Sequence, residues 1–331
     1  MFAWRVHELG EPADALRLDR VADLEPGAGE VVVRIRAAAL NFADVLLCRG
    51  QYQERPELPF VPGSEASAEV VALGPGADPA LAGRRVIAYL RRGGAFAELA
   101  RVPAAAVFPI PDALDDVTAA AFHVTYQTGH VALHRRAGLQ PGETLLVHAG
   151  AGGVGSAAIE LGRAAGARVL ATAGGPEKAE ICRALGADIA IDSRAEDFVA
   201  AVNDATGGRG ADVIYDPVGG DTFDRSRRCV AFEGRILVIG FAGGRIAEAP
   251  TNHALVKNYS IVGVHWGLYE DRAPEVIRAA HDELVALHAG GAIRPRVSEV
   301  VEPEALPAAL TALAAGATVG KVVVRIGAGA G

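Results

Sequence analysis

From about residue 143 the chain alternates short apolar runs with longer amphipathic stretches. ETLLVHA at 143–149 leads into a glycine cluster and VGSAAIELGRAAG. After it come RVLATAG, PEKAEICRALG, DIAIDS, EDFVAAVNDATGG, ADVIYDP, a short helical stretch and GRILVIGF. Strand-like runs separated by helical ones of about 10–15 residues predict parallel βαβ units covered on both faces. Five such strands, with SIVGVHW at 260–266 as a sixth, predict a doubly wound sheet.

The first 120 residues carry a different pattern. VVVRIRAAAL, ASAEVVALG, RRVIAYL and FAELARVP are short strand-like segments punctuated by Gly and Pro, which predicts a β-rich domain with little helix. After residue 270 come two helical stretches, APEVIRAAHDELVALHAGG and PEALPAALTALAAG, and a last strand, KVVVRIG. That strand needs a sheet to join, and the β-rich domain is its natural host. The reading is therefore a discontinuous β-rich domain over 1–123 and 268–331, interrupted by a nucleotide-type α/β domain over 124–267.

Composition narrows the function classes. A chain of 331 residues favours two domains over one core. The net charge of −8, without a basic run, argues against nucleic-acid or anionic-membrane partners. Three cysteines without CxxC spacing (Cys48, Cys182, Cys229) fit a reducing, cytoplasmic compartment. Arg5 and Glu8 interrupt the N-terminus too early for a signal peptide. Of 32 cationic side chains only Lys178, Lys257 and Lys321 are lysines, so each is worth following.

The glycine cluster carries the chemistry. Gly150, Gly152 and Gly155 form a GxGxxG pattern with Ala151, Gly153 and Val154 between them. The pattern follows a predicted strand and opens a predicted helix, the context in which backbone N–H groups meet a dinucleotide pyrophosphate. NAD binders usually end their second strand in an acidic residue that bonds the adenosine ribose. Here that strand ends in Thr172-Ala173-Gly174-Gly175, with Lys178 four residues past Gly174 and Ser193-Arg194 closing the third strand. Small residues beside cations favour the 2′-phosphate of NADPH over NADH.

These features resemble the medium-chain dehydrogenase/reductase superfamily, through the AxxGxVG form of the turn from Ala149 to Gly155, the β-rich first domain and the returning C-terminal segment. Many zinc-containing members carry a Cys in a CxxD segment and a His in a GHE segment as metal ligands. The matching segments here read Asn41-Phe42-Ala43-Asp44 and Gly63-Ser64-Glu65. Neither Asn nor Ser is an ordinary zinc ligand, and no metal is expected. The chain further resembles the zinc-free quinone oxidoreductase branch, and its quinone oxidoreductase-like subgroup, in Arg49-Gly50-Gln51-Tyr52, Leu58 to Gly63, Asp216 to Gly220, Gly240 to Gly244 and Asn252 to Gly267. The resemblance implies a Rossmann sheet inserted in a GroES-like catalytic domain. It implies cofactor contacts at Thr125, Val218, Gly240, Phe241, Val264 and Trp266, and a homodimer formed through the 260–266 edge strand. Several relatives carry a Tyr at Ser193 that helps to hold the 2′-phosphate; its loss leaves that task to Lys178 and Arg194.

Without a metal Lewis acid, a simple alcohol is a poor substrate, whereas a quinone or conjugated enone is electrophilic enough to accept hydride. By resemblance, Asn41, Asp44 and Tyr52 stand near the nicotinamide. Tyr52 is placed to stack on substrate or donate its hydroxyl, Asn41 to donate an amide N–H, and Asp44 to orient its neighbours or stabilise a turn. An enoyl-thioester reductase with Arg91, Arg92 or Arg245 on the carrier's phosphates is the second enzyme reading. A nucleotide-binding redox sensor without turnover is the third. His130 and His134 share a helix face but lack a third ligand nearby, and no hydrolase or Walker motif is present.

Overall fold

The chain enters as a hairpin, β1 (Phe2–Val6) antiparallel to β2 (Leu16–Arg20), a pairing the apolar pattern did not predict. In this computed structural model, which describes residues 1–327, five more strands follow. They are β3 (Glu30–Ala39), β4 (Glu65–Leu73), β5 (Arg85–Tyr89), β6 (Leu99–Pro103) and β7 (Val107–Pro109). Six strands then belong to the nucleotide-type segment: β8 (Thr144–Val147), β9 (Arg168–Ala173), β10 (Ile189–Asp192), β11 (Ala211–Asp216), β12 (Val230–Val238) and β13 (Ser260–Gly263). The chain closes with β14 (Val297–Val301) and β15 (Lys321–Arg325).

Two units result. The first joins Met1–Val124 to the segment that resumes at Pro295, and the second spans Thr125–Arg294. In the first, a seven-stranded sheet runs β14-β15-β3-β4-β5-β7, with β6 also paired to β3. The terminal strand returns to the β-rich unit: β15 lies antiparallel to β3, with Val323 opposite Ala39. β3 is central, so its Val31, Val33 and Ile35 are wholly buried, each contributing about 1.5–3 kcal/mol to the core. Ala37 and Ala39 of β3 stay small because helix Asp116–Ala120 packs on them through Ala120.

The second unit is an all-parallel sheet in the order β10-β9-β8-β11-β12-β13. One of its two central strands, β8, buries Leu145, Leu146 and Val147 completely, as a parallel strand covered on both faces must. Helix Gly153–Ala164 crosses over it, and a Cβ on Gly162 would stand 2.4 Å from Leu145 Cδ2, which records how closely helix and sheet approach.

Two sequence expectations change. The second boundary falls at 294/295, not 267/268. Helix Pro274–Ala289 turns Ile277, Ala280 and Leu284 inward, and Gln127 Nε2 donates to the Ile277 carbonyl at 2.9 Å, which binds this helix into the second unit. The run 260–266 is a strand only to Gly263. One further bond, Val264 N–H to the Val238 carbonyl at 3.1 Å, precedes a 3₁₀ turn over Trp266–Leu268 that buries Trp266.

Candidate active site

In the second unit every expected cofactor residue but Thr125 and Lys178 follows the carboxyl end of a strand, the rim where open α/β sheets bind ligands. Thr125 lies buried in helix His123–His130, and Lys178 in the first turn of helix Pro176–Ala184. The glycine turn after β8 is tightly drawn. Gly150 N–H donates to the Thr172 carbonyl at 2.8 Å, and Ala149 adopts a left-handed φ of 50°. A Cβ on Gly155 would stand 2.2 Å from the Ala149 carbonyl oxygen, so only glycine fits there. The helix opens at Gly152 without a side-chain cap, leaving its first N–H groups for an anion.

Beyond β9, Arg194 lays its guanidinium over the two glycines: a Cβ on Gly174 would meet Arg194 Nε at 3.4 Å, and one on Gly175 would meet Nη1 at 3.6 Å. Asp192 holds this corner by accepting from Gly175 N–H at 2.8 Å and Arg194 N–H at 3.0 Å. Ser193 turns inward, its Oγ donating to the Ala173 carbonyl at 3.1 Å. The turns after β11 and β12 hold each other, with Gly243 N–H on the Val218 carbonyl at 2.9 Å and the Phe241 ring over Gly219. Val218, Gly240 and Phe241 are thereby brought together. These residues fit a dinucleotide: a cradle that a Cβ would fill, open N–H groups and adjacent cations.

His148, read in sequence only as the residue before the glycine turn, is a buried core histidine. Ser226 Oγ donates to the Thr222 carbonyl at 2.7 Å, so His148 Nε2 donates to Ser226 Oγ at 2.8 Å. Nδ1 then accepts from Thr172 Oγ1 at 2.9 Å, which fixes a neutral tautomer. Burial first, and the Arg225 charge second, depress the imidazole to about 3. The rings of His130 and His134 meet at a tilt with centroids 4.7 Å apart, and His130 Nε2 meets Glu283 Oε2 at 2.7 Å. No group of three or more His, Cys, Asp or Glu among the described residues could hold a metal.

In the first unit, Asn41 and Asp44 open helix Phe42–Cys48. Asp44 is wholly buried; its Oδ2 accepts Asn41 N–H at 2.8 Å, and its Oδ1 accepts Gly63 N–H and Ser64 Oγ–H, both at 3.2 Å. Burial drives its carboxyl up to about 7, against the opposing pull of the Asn41 bond and the Lys321 charge. This is the turn-stabilising geometry weighed for Asp44. The expectation that Asn41 offers an amide N–H outward meets a different arrangement. Its Nδ2 donates to the Ala39 carbonyl at 3.3 Å and to Glu65 Oε1 at 3.0 Å. Its Oδ1 accepts from Lys321 Nζ at 2.7 Å. Tyr52 is half-buried, and burial, with the negative charge of Asp44 next, pushes its phenol above the usual range, so it is protonated at neutral pH.

Lys321 and Glu65 are the residues that sequence reasoning missed as parts of a site. Lys321 spends its three N–H bonds on the Leu40 carbonyl (2.8 Å), Asn41 Oδ1 (2.7 Å) and Glu65 Oε1 (2.8 Å), while Glu65 Oε2 accepts Val124 N–H at 2.7 Å. Both are buried. The scarcity of lysine was the one sequence signal pointing here.

Comparison with known proteins fits this geometry. The description "Alcohol dehydrogenase GroES-like domain" matches residues 27–112, and "Zinc-binding dehydrogenase" matches residues 153–286. The chain is 37% identical over 321 residues to the quinone oxidoreductase-like protein 2 homolog of Nematostella vectensis, covering 96% of this chain and 87% of that one. The chain belongs to the medium-chain dehydrogenase/reductase superfamily, in its quinone oxidoreductase-like group. Among solved structures, Escherichia coli quinone oxidoreductase in complex with NADPH superposes with a TM-score of 0.92 at 28% identity, covering 98% of this chain and 100% of that one. The CurK enoyl reductase superposes at 0.88 with 26% identity over 98% and 99%. This medium-chain member is an oxidoreductase of the nicotinamide-dinucleotide type, with a Rossmann sheet inserted in a GroES-like unit.

The pH dependence of stability follows from His148. Its folded value lies below its unfolded one of about 6.5, so its contribution is fully present above that pH and is lost as pH falls toward about 3. In urea titrations at pH 7, 6 and 5, His148→Asn should be less stable at pH 7 but lose about 1.4 kcal/mol less per pH unit below 6 than the unaltered protein. Parallel profiles would place the acid sensitivity elsewhere.

Proposed function

We propose that this chain is a zinc-independent, NADPH-dependent reductase of quinones or α,β-unsaturated carbonyls. The observation that carries this reading is the network around Lys321. Where zinc relatives place ligands, Asn41 and Ser64 are engaged in hydrogen bonds to Glu65, Lys321 and Asp44. That donor set is poor for zinc, so the reaction needs an acceptor that is already electrophilic.

The bound dinucleotide supplies two electrons as hydride. Its pyrophosphate is assigned to the turn Gly150–Gly155, and its 2′-phosphate to Lys178 and Arg194. Thr125, Val218, Gly240, Phe241, Val264 and Trp266 are assigned to the remaining contacts, and Ser193 shapes the corner beneath Arg194. Tyr52, protonated, donates to the substrate oxygen on which charge develops, and solvent restores its proton. Asn41 and Asp44 serve as positioning residues: Asp44 ties the start of helix Phe42–Cys48 to the Gly63-Ser64 turn, and Asn41 links that helix to Lys321.

The enoyl-thioester reading draws support from the likeness to an enoyl reductase. Two of the three arginines suggested for the carrier's phosphates are committed to carboxylates: Arg91 Nε to Glu54 at 2.5 Å and Arg245 Nη2 to Asp221 at 2.7 Å. The quinone or enone reading is therefore preferred.

A homodimer is also proposed. β13 is an edge strand with no second strand neighbour among the described residues, and Leu255 and Val256 just before it are 80% and 83% exposed. An open apolar edge calls for a partner. Light scattering should give twice the chain mass, with Val256→Asp shifting it toward one chain; a single-chain mass for the unaltered protein contradicts the proposal.

The decisive assay follows cofactor oxidation with NADPH and NADH against 1,4-quinones, conjugated enals and crotonyl thioester. Turnover is expected with NADPH and a quinone or enal. Lys178→Ala should weaken NADPH about tenfold while NADH changes less than about twofold. Tyr52→Phe should cost on the order of a hundredfold in kcat with NADPH binding unchanged. NADPH binding without turnover on any acceptor leaves the sensor reading, and equal use of NADH overturns the 2′-phosphate assignment.

A further inference from the structure

The second unit holds an open cavity of about 510 Å³ beside helix Gly220–Ser226. None of its lining residues is among those assigned to the dinucleotide, although Arg245, Glu248 and Pro250 lie further along the connection that carries Gly240 and Phe241. Four arginines (Arg225, Arg227, Arg228, Arg245) and His253 line it together with Asp224, Glu248 and Pro250. Several of these charges are already matched. Arg225 pairs with Asp197 at 2.6 Å, Arg245 bridges Asp221 and Asp224, and Arg227 Nη2 reaches Asp224 at 3.2 Å.

What is left over points to an anion. The exposed Arg228 side chain makes no ion pair among the described residues. Arg227 Nε and His253 Nδ1 are buried in the cavity wall without a hydrogen-bond partner. Lys257 adds a further positive charge nearby, its ammonium donating to the Arg227 and Arg228 carbonyls at 3.1 and 3.2 Å. Burial, then the charges of Arg227 and Lys257, hold the His253 imidazole below its usual range, and as a neutral ring it can carry its one N–H on the unpartnered Nδ1. Guanidinium forks match tetrahedral oxyanions, and a ligand with several acceptor oxygens can satisfy more than one unpaired donor lining the same cavity.

We propose that this cavity binds a small phosphate-bearing anion, gripped by the Arg228 fork, with Arg227 Nε–H and His253 Nδ1–H turning toward its oxygens. The site is separate from the nucleotide turn, so occupancy does not depend on the cofactor assignment.

The test is calorimetric titration of the full chain with inorganic phosphate and, separately, with glycerol phosphate, on the unaltered protein, Arg228→Ala and Lys178→Ala. Arg228 is exposed, so its truncation leaves the core intact. One equivalent should bind, about tenfold more weakly in Arg228→Ala and within about twofold of unaltered in Lys178→Ala. Tighter binding of the ester than of free phosphate assigns the site to a phosphate monoester, and the reverse order to the free ion. Absence of binding, equal binding in Arg228→Ala, or loss confined to Lys178→Ala overturns the proposal, the last by placing the anion in the nucleotide turn.

Discussion

A buried ion pair closes the first unit. Lys321, at the start of the last strand, reaches across 256 residues of sequence to Glu65 at 2.8 Å, and both side chains are out of water. Neither charge is left with an idle partner site. The ammonium also holds the Leu40 carbonyl and Asn41, and the second carboxylate oxygen holds Val124 N–H where the chain leaves the unit. Such a pair adds little over an apolar substitute, but removing one member strands the other and costs about 3–5 kcal/mol. It therefore acts as a specificity device: the returning strand, helix Phe42–Cys48 and the exit at Val124 are fixed in one arrangement.

The same pair holds Asn41, one of the two residues that stand where zinc relatives of the superfamily carry ligands. A metal would orient substrate and absorb charge. Here a buried hydrogen-bond lattice occupies those positions, and the Tyr52 phenol of the same unit is kept protonated by burial and by Asp44. The second unit packs its backbone as closely, with Gly155 under the Ala149 carbonyl and Arg194 lying over Gly174.

The parallel sheet was legible because its strands are buried on both faces and its helices repeat at regular intervals, both local properties of sequence. The glycine turn was legible for the same reason. What escaped depends on contacts between distant residues. Lys321 drew notice as one of three lysines, yet its partners lie 256 to 281 positions away. Asn41 looked like a free donor because nothing local shows that Glu65 and Ala39 take its N–H groups. The stretch APEVIRAAHDELVALHAGG announced a helix without saying which unit it joined; its buried Ile277, Ala280 and Leu284 settle that only in the structure. The apolar run at 260–266 gave no sign that pairing stops near Gly263, since the 3₁₀ turn that follows is just as apolar.

The measurement that bears most directly on this account is a double-mutant cycle on Lys321→Met and Glu65→Leu, read as unfolding free energy in urea. Each single change should cost about 3–5 kcal/mol by leaving a buried charge alone, and the double change should recover most of that loss, a coupling of at least about 2 kcal/mol. Additive costs, or single changes within about 0.5 kcal/mol of the unaltered protein, would contradict it.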